Sequence, residues 1–309
     1  MSRPRTLRIA TRQSAQATAQ AQAVGDALAA AHPGVVIELV HVETLGDQRA
    51  DVPLHTMGGQ GVFVKEVQRA VLDGHADLAV HSAKDLPTES ADGLRIAAFC
   101  ARRDPADALV GQALDGLAPG ATIATGSVRR RALLRVLRPD LHFVELRGNI
   151  QTRLGKVPTD GSIVMAVAAL QILGLTDRVA ERFDVDTFVP SPGQGCVAVE
   201  CRDSDDATAS IVHAVDHAAT RAAVEIERVF LAELGTGCSL PVGAHVSNGR
   251  LIGFLADPDR ESSDEAPWWV RHSIILSGEV AADHAAARSL AHDLQHLLGV
   301  DGTAGSSAT

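Results

Sequence analysis

A chain of 309 residues is long enough for two or three domains, each with its own core. With 46% hydrophobic and 21% charged residues it is not a disordered polymer, and no apolar run is long enough to span a membrane. A net charge of −10, no tyrosine and 3% aromatics argue against nucleic acid as the partner and leave few platforms on which bases could stack.

The N-terminal "MSRPRTLRIATRQS" has no apolar stretch of signal-peptide type, so the expected location is the cytoplasm. "LRIAT" reads as a short strand. "SAQATAQAQAVGDALAAA" reads as an alanine-rich helix, capped by Ser14 and closed by Pro33-Gly34. "VVIELVHVE" is the next strand. "FVKEVQRAVLDG" places Phe63, Val67, Ala70 and Val71 on one helical face and ends at Gly74. "ADLAVHS" completes a β-α-β-α-β pattern, that of an open sheet covered by helices. "RIAAFCA" places Cys100 in a buried strand.

At "ARRDPAD" a knot of charge around Pro105 marks a domain crossing. Alternation resumes with strand "TIAT", helix "SVRRRALLRVL", strands "HFVELRG" and "SIVMAV", and helix "AALQILG". Cys196 and Cys201 flank "VAVE" and read as structural. A long helix, "ATRAAVEIERVFLAEL", leads into a final third of strands with Asn248-Gly249 as a hairpin turn, one helix near 283–298, and a tail read as disordered. His213/His217 and His292/His296 sit four apart on expected helices. Without an HExxH pattern or acidic partners they read as solvated faces rather than metal ligands.

Two α/β units place their ligand crevice at the carboxyl ends of strands, between the domains. "RIATRQS", "HSAKDLPT", "ATGSVRRR" and "LRGNIQTRL" all fall at such ends. Between Ser127 and Arg153 there are seven arginines against only Asp140 and Glu145. In an acidic chain this points to a local anionic ligand, although Arg131, Arg135 and Arg138 also fit a solvated helix face. Arginine suits carboxylates because its fork pairs with both oxygens. The residues therefore describe an interdomain cleft for a polycarboxylate, with Asp85 as a candidate acid. Asp85 taken alone would read as a turn residue before Leu86-Pro87. Cys238 lies in the glycine loop "ELGTGCSLPVG", where a thiol is tolerated, oxidised, metal-bound or chemically used.

Six collinear motifs, "RIATRQS", "GGQGVFVKE", "VHSAKDLPT", "LRGNIQTRL", "PGQGCVAVEC" and "GTGCSLPVGA", closely resemble the porphobilinogen deaminase (hydroxymethylbilane synthase) family over nearly the whole chain. The resemblance implies two type II periplasmic-binding-protein-like α/β domains plus a small C-terminal α+β domain. Their expected extents are 1–101 with 196–214, 102–195, and 215–309. It implies a monomer that takes four porphobilinogen molecules head to tail, losing ammonia each time, and releases a linear tetrapyrrole by hydrolysis. The growing chain is carried on a dipyrromethane cofactor joined by a thioether to the residue at Cys238. By position, Asp85 matches the catalytic acid. Lys84, Ser82, Thr125, Ser127, Arg129, Arg130, Arg147 and Asp47 match groups holding the cofactor. Arg12, Ser14, Gln20, Phe63, Arg153 and Gln194 match groups holding substrate, and no metal is implied. The sequence departs from the pattern at Thr56 and Gln60, where many relatives carry lysine, at Gly126, where serine is common, and at Ile172, where an arginine often stands. Two other readings, a solute-binding clamp and an inactive paralogue binding anionic pyrroles, share the fold. A pure binder needs neither Cys238 nor Asp85.

Overall fold

The computed structural model describes residues 5–44, 64–235, 241–257 and 267–300. In chain order, strand β1 (Arg5–Arg12), helix α1 (Ala15–Ala31), β2 (Val35–Val42), α2 (Lys65–Leu72), β3 (Leu78–Ser82) and β4 (Leu94–Phe99) form the first lobe. The second lobe contains β5 (Asp107–Gly111), β6 (Thr122–Ala124), α3 (Val128–Leu137), β7 (His142–Val144), α4 (Ile150–Leu154), β8 (Ser162–Ala166), α5 (Val167–Ile172) and β9 (Glu181–Arg182). Then come β10 (Val197–Arg202), α6 (Asp206–Val212), α7 (Ala218–Leu234), β11 (Val242–Ser247), β12 (Arg250–Ala256), β13 (Trp269–Ile275) and α8 (Val280–Leu298).

The two five-stranded sheets share one plan, β2-β1-β3-β10-β4 and β7-β6-β8-β5-β9. In each, three parallel strands are followed by one strand running the other way. That reversed strand is delivered by a crossing between the lobes: β5 as the chain enters the second lobe, β10 as it returns to the first. A pure βαβ alternation misses this, and the strand at Asp107–Gly111 was not anticipated in the sequence. β3 is nevertheless the buried strand expected, and α2 buries Val67, Ala70 and Val71 as its periodicity requires. Ser14 caps α1 by accepting from the Ala17 N–H at 3.3 Å.

Several expectations need correction. Cys100 follows β4 rather than lying within it, and is half-buried. Burial pushes its thiol up to about 11 and that of Cys196 to about 12, which keeps both inert. His213 and His217 do not share a helix. His213 begins a one-turn 3-10 helix, and the His217 ring caps α7 by accepting from the Thr220 N–H. The C-terminal helix starts at Val280, three residues before the expected boundary. Arg138 is not simply solvated: it donates to the Leu114 and Leu117 carbonyls and pairs with Asp140. Arg135 lies 5.0 Å over the Trp268 ring, while Arg131 stays half-exposed beside Glu145. Among the described residues no helix is long and apolar enough to cross a membrane.

The third unit is the antiparallel sheet β11-β12-β13 backed by α7 and α8. Asn248 (φ 50°) and Gly249 (φ 69°) make the expected tight hairpin, with Ser247 opposite Arg250. β12 is buried on both faces. Leu251 and Leu255 point to α7 and α8, whereas Ile252, Phe254 and Ala256 pack on Phe183, Phe188 and Val189 of the second lobe.

A polar clamp joins this unit to both crossings. Glu227, on the buried stripe of α7, has no solvent exposure. It takes both Arg102 Nη groups (2.6 and 3.0 Å), the Gly193 and Val246 N–H groups (2.8 Å each), and faces His245 Nδ1 at 3.2 Å. Arg102 belongs to the outgoing crossing, Gly193 to the returning one, and His245 and Val246 to β11. Burial alone would raise the Glu227 pKa; Arg102 and His245 outweigh it and hold the carboxyl at about 2. A folded pKa below the ordinary 4.5 contributes stability above pH ~4.5 that is lost as pH falls towards ~2. Glu227→Gln should therefore destabilise the protein by about 3–5 kcal/mol at pH 7. Its deficit against wild type should shrink between pH ~4.5 and ~2. Urea midpoints measured across that range test this, and a deficit independent of pH would show that charge is not what Glu227 supplies.

Candidate active site

Where β3 ends, Ser82 turns the chain into a single 3-10 turn, Ala83–Asp85. The turn is tied on both sides. The Ala83 N–H donates to the Cys196 carbonyl at 2.9 Å, and Leu86 is buried at 3% exposure. Beyond it, Arg228 Nη2 of α7 donates to the Pro87 and Thr88 carbonyls at 2.7 and 3.1 Å. Asp85 is thus held by a strand end before it and a half-buried guanidinium after it. Ser82 Oγ and the Gln20 amide meet at 3.1–3.2 Å, which fixes α1 against the same turn.

Facing this turn, β6 delivers Thr125, and Ser127 caps α3. Thr125 Oγ1 accepts from the Ser127 N–H at 3.2 Å, so the turn between them is internally satisfied. A cavity opens here, lined by Thr125, Gly126, Ser127, Arg130, Leu146, Arg153 and Val164. Its polar wall is hydroxyls and two guanidinium groups. Burial, then Arg130 and Arg147, pull Arg153 down to about 10, with Asp85 opposing and Arg12 adding repulsion. That set of influences places Arg12, Arg130, Arg147, Arg153 and Asp85 in one neighbourhood. Such mutual repulsion among cations is what an anionic ligand relieves.

Beneath the cavity lies a carboxylate that sequence reading missed. Asp107, the first residue of β5, is completely buried. Arg129 Nη2 reaches its Oδ2 at 2.7 Å; Arg130 Nε and Nη2 reach Oδ1 at 2.9 and 2.7 Å. Gln194 Nε2 donates to the same Oδ1 at 3.0 Å, and Lys84 Nζ donates to Gln194 Oε1 at 3.1 Å. Burial would raise the Asp107 pKa, but Arg129, Arg130 and Lys84 hold it at about 2. The network runs from the Asp85 turn, through the returning crossing, to the second lobe.

The structure therefore sorts the expected residues. Arg130, Arg153, Thr125 and Ser127 line the cavity. Arg12, Arg147, Lys84 and Asp85 share its electrostatic neighbourhood. Arg129 is committed to Asp107 and the Val189 carbonyl, and Gln194 to Pro105, Asp107 and Lys84, so both act on the cavity through their neighbours. Ser14 and Gln20 are engaged with α1 and Ser82. Ile172 ends α5 half-buried. Cys238, Asp47 and Phe63, with Thr56 and Gln60, lie outside the described residues. Asp107 did carry a signal: an acid opening the apolar run "DALVG" must be paired if that run is buried. Glu227 carried another, falling on the stripe of Val224, Phe230 and Leu234.

Fold and site together describe a two-lobed α/β clamp for a carboxylate-bearing ligand. The profile of the porphobilinogen deaminase dipyromethane cofactor binding domain matches residues 7–210, and that of the porphobilinogen deaminase C-terminal domain matches 221–275. The chain belongs to the porphobilinogen deaminase family. The Acidothermus cellulolyticus porphobilinogen deaminase is 49% identical over 301 residues, covering 93% of this chain and 88% of its own. That of Thermobifida fusca is 44% identical over 301 residues, covering 93% and 92%. Among solved structures, the methionine binding protein MetQ is 15% identical with a TM-score of 0.45, covering 71% of this chain and 93% of its own.

Lys84 provides a pH handle. Burial and Arg130 lower its pKa to about 8, against the pull of Asp85 and Asp107. It is charged below that pH and neutral above it, so its attraction for a carboxylate fades as pH rises through ~8. The Michaelis constant for an anionic substrate should rise across that range in wild type. Lys84→Arg, which stays charged, should flatten the rise, and equal profiles for the two would remove Lys84 from carboxylate binding.

Proposed function

We propose that the cleft performs the family's reaction with the groups described above, Asp85 acting as acid and electrostatic partner. The enzyme is a hydroxymethylbilane synthase, a transferase that condenses porphobilinogen on a dipyrromethane cofactor. One observation carries the assignment of roles: the Asp85 carboxylate acts on Lys84 and on Arg153, and Arg153 shares its neighbourhood with Arg12, Arg130 and Arg147.

Porphobilinogen brings an acetate and a propionate, so each added unit brings two negative charges. The hydroxyls of Thr125 and Ser127 and the guanidinium groups of Arg130 and Arg153 form a donor set that fits the carboxylates of the cofactor and the growing chain. Arg12, Arg147 and Lys84 extend the same positive field. Attached through Cys238, dipyrromethane would supply the nucleophilic pyrrole carbon that joins the substrate's methylene. Asp85 gives a proton to the substrate's amine, so that the C–N bond breaks with loss of ammonia. The carboxylate it leaves faces the cationic methylene-pyrrolenine derived from that substrate. Asp85, left as a carboxylate, would take back the proton displaced from the pyrrole carbon, which returns the site to its starting charge for the next substrate. Water completes the last cycle.

The units are proposed to be 1–101 with 196–214, 102–195, and 215–309, consistent with β10 returning to the first sheet. We also assign a monomer acting in the cytoplasm, where unpaired thiols persist; Cys100, Cys196 and Cys201 are all free.

The test is Asp85→Asn. The amide neither donates the proton nor carries the balancing charge, so porphyrin formed after acid treatment and oxidation should fall by at least about 10²–10⁴. Asp85→Glu should retain more, because it keeps both functions while displacing them. Intact protein mass should exceed the sequence mass by two pyrrole units in wild type, and the excess should be absent from Cys238→Ser. Asp85→Asn within a few-fold of wild type, with normal circular dichroism, would make Asp85 a turn residue only.

A further inference from the structure

Glu145 directly follows β7, and its carboxylate leans against the cavity wall at Gly126. A Cβ placed on Gly126 would lie 2.6 Å from Glu145 Oε1 and 2.9 Å from the Leu146 carbonyl oxygen. Gly126 and Leu146 both line the cavity that holds Thr125, Ser127, Arg130 and Arg153. Because Gly126 has no side chain, the Glu145 carboxylate can occupy the space beside its backbone that a Cβ would fill. The charge is only loosely compensated. Arg131 Nη2 is 3.8 Å from Glu145 Oε2, beyond hydrogen-bonding distance, and the two side chains are 42% and 36% exposed. A cavity built for carboxylates thus has another carboxylate against the backbone of one of its own lining residues.

We propose that Glu145 is a specificity-determining residue that weakens the cavity's hold on the substrate's carboxylates, and that Gly126 is the residue that makes room for it. The inference rests on the reading that this cavity receives the carboxylates of porphobilinogen and its oligomers.

The physical reason is the reaction's repetition. A pocket lined only by cations holds every anionic intermediate tightly, and binding that is equal in ground and transition states brings no rate. Here the same donors have to release one pyrrole's carboxylates and take the next four times over. A fixed negative charge nearby lowers the hold on each carboxylate by like-charge repulsion and leaves the donors in place. Glycine at 126 is what allows it, since a larger residue would collide with both Glu145 and the Leu146 carbonyl.

The test compares wild type with Glu145→Gln, Glu145→Ser and Glu145→Asp in the complete, cofactor-loaded protein. Removing one charge several ångströms from a bound carboxylate at the protein surface should lower KM for porphobilinogen about three- to tenfold at low ionic strength. kcat should not rise, because the intermediates are released no faster. The drop should shrink towards parity near 1 M salt, where the screening length is about 3 Å. Glu145→Ser, which removes the charge by another route, should match Glu145→Gln. Glu145→Asp, which keeps it, should stay within about twofold of wild type, since the displacement is only about one methylene. Independently of turnover, intact mass after substoichiometric porphobilinogen should show more protein carrying one to three extra pyrroles in Glu145→Gln than in wild type. An unchanged or raised KM in a normally folded Glu145→Gln protein overturns the proposal, as does a lowered KM that ignores salt or recurs in Glu145→Asp. A wild-type protein that carries no pyrrole mass and makes no product would instead overturn the functional reading beneath it.

Discussion

The cleft depends on one buried carboxylate. Asp107 is wholly removed from water, yet it stays charged because Arg129, Arg130 and the Gln194 amide surround it. An isolated buried carboxylate would neutralise itself, and isolated buried guanidinium groups would be expelled towards solvent. Together they fix one another. Arg130 can then line the cavity with its orientation already set, instead of losing rotamer freedom when a ligand arrives. Gln194 passes the same constraint to Lys84, so one acid in the second lobe positions a cation beside Asp85 in the first.

The local part of this architecture is written in the sequence, because strand and helix periodicities and caps act over a few residues. Ser14, Ser127 and the Asn248-Gly249 hairpin are legible on those grounds. The reversed strands are not, since the run at Asp107–Gly111 pairs with β8 some fifty residues later and β10 pairs with strands laid down about a hundred residues earlier. No local pattern encodes direction across such a gap. Glu200 on β10 illustrates the cost to a sequence reader. It is an acid within an apolar strand, and only the fold brings Gln68 and His81 to meet it.

The site shows the same division. Motif position finds Arg130 and Arg153, and the structure puts both on the cavity wall. It finds Arg129 and Gln194 as well, but their donors are spent inside the protein. Adjacent letters in "VRRR" thus have different tasks, because neighbours on a helix point about 100° apart and only one of them can face the opening. Arg138, which caps the end of the same helix, holds two carbonyls of the preceding connection and takes no part in the cleft.

Helix α7 grips its surroundings in two unlike ways. Through Glu227 and Arg228 it holds both crossings and the segment after Asp85 by hydrogen bonds of defined length. The sheet it supports meets the second lobe through the apolar seam of Ile252, Phe254 and Ala256, pinned by the Ala244 N–H on the Pro190 carbonyl and by Arg250 and Arg271 on Asp186 and the Thr187 carbonyl. Hydrogen bonds break when displaced by about an ångström, so these pins hold in register apolar surfaces that would otherwise slide with little loss. The C-terminal unit is therefore a brace fastened at both ends, and shifting one lobe against the other means breaking fastenings rather than sliding a covered surface.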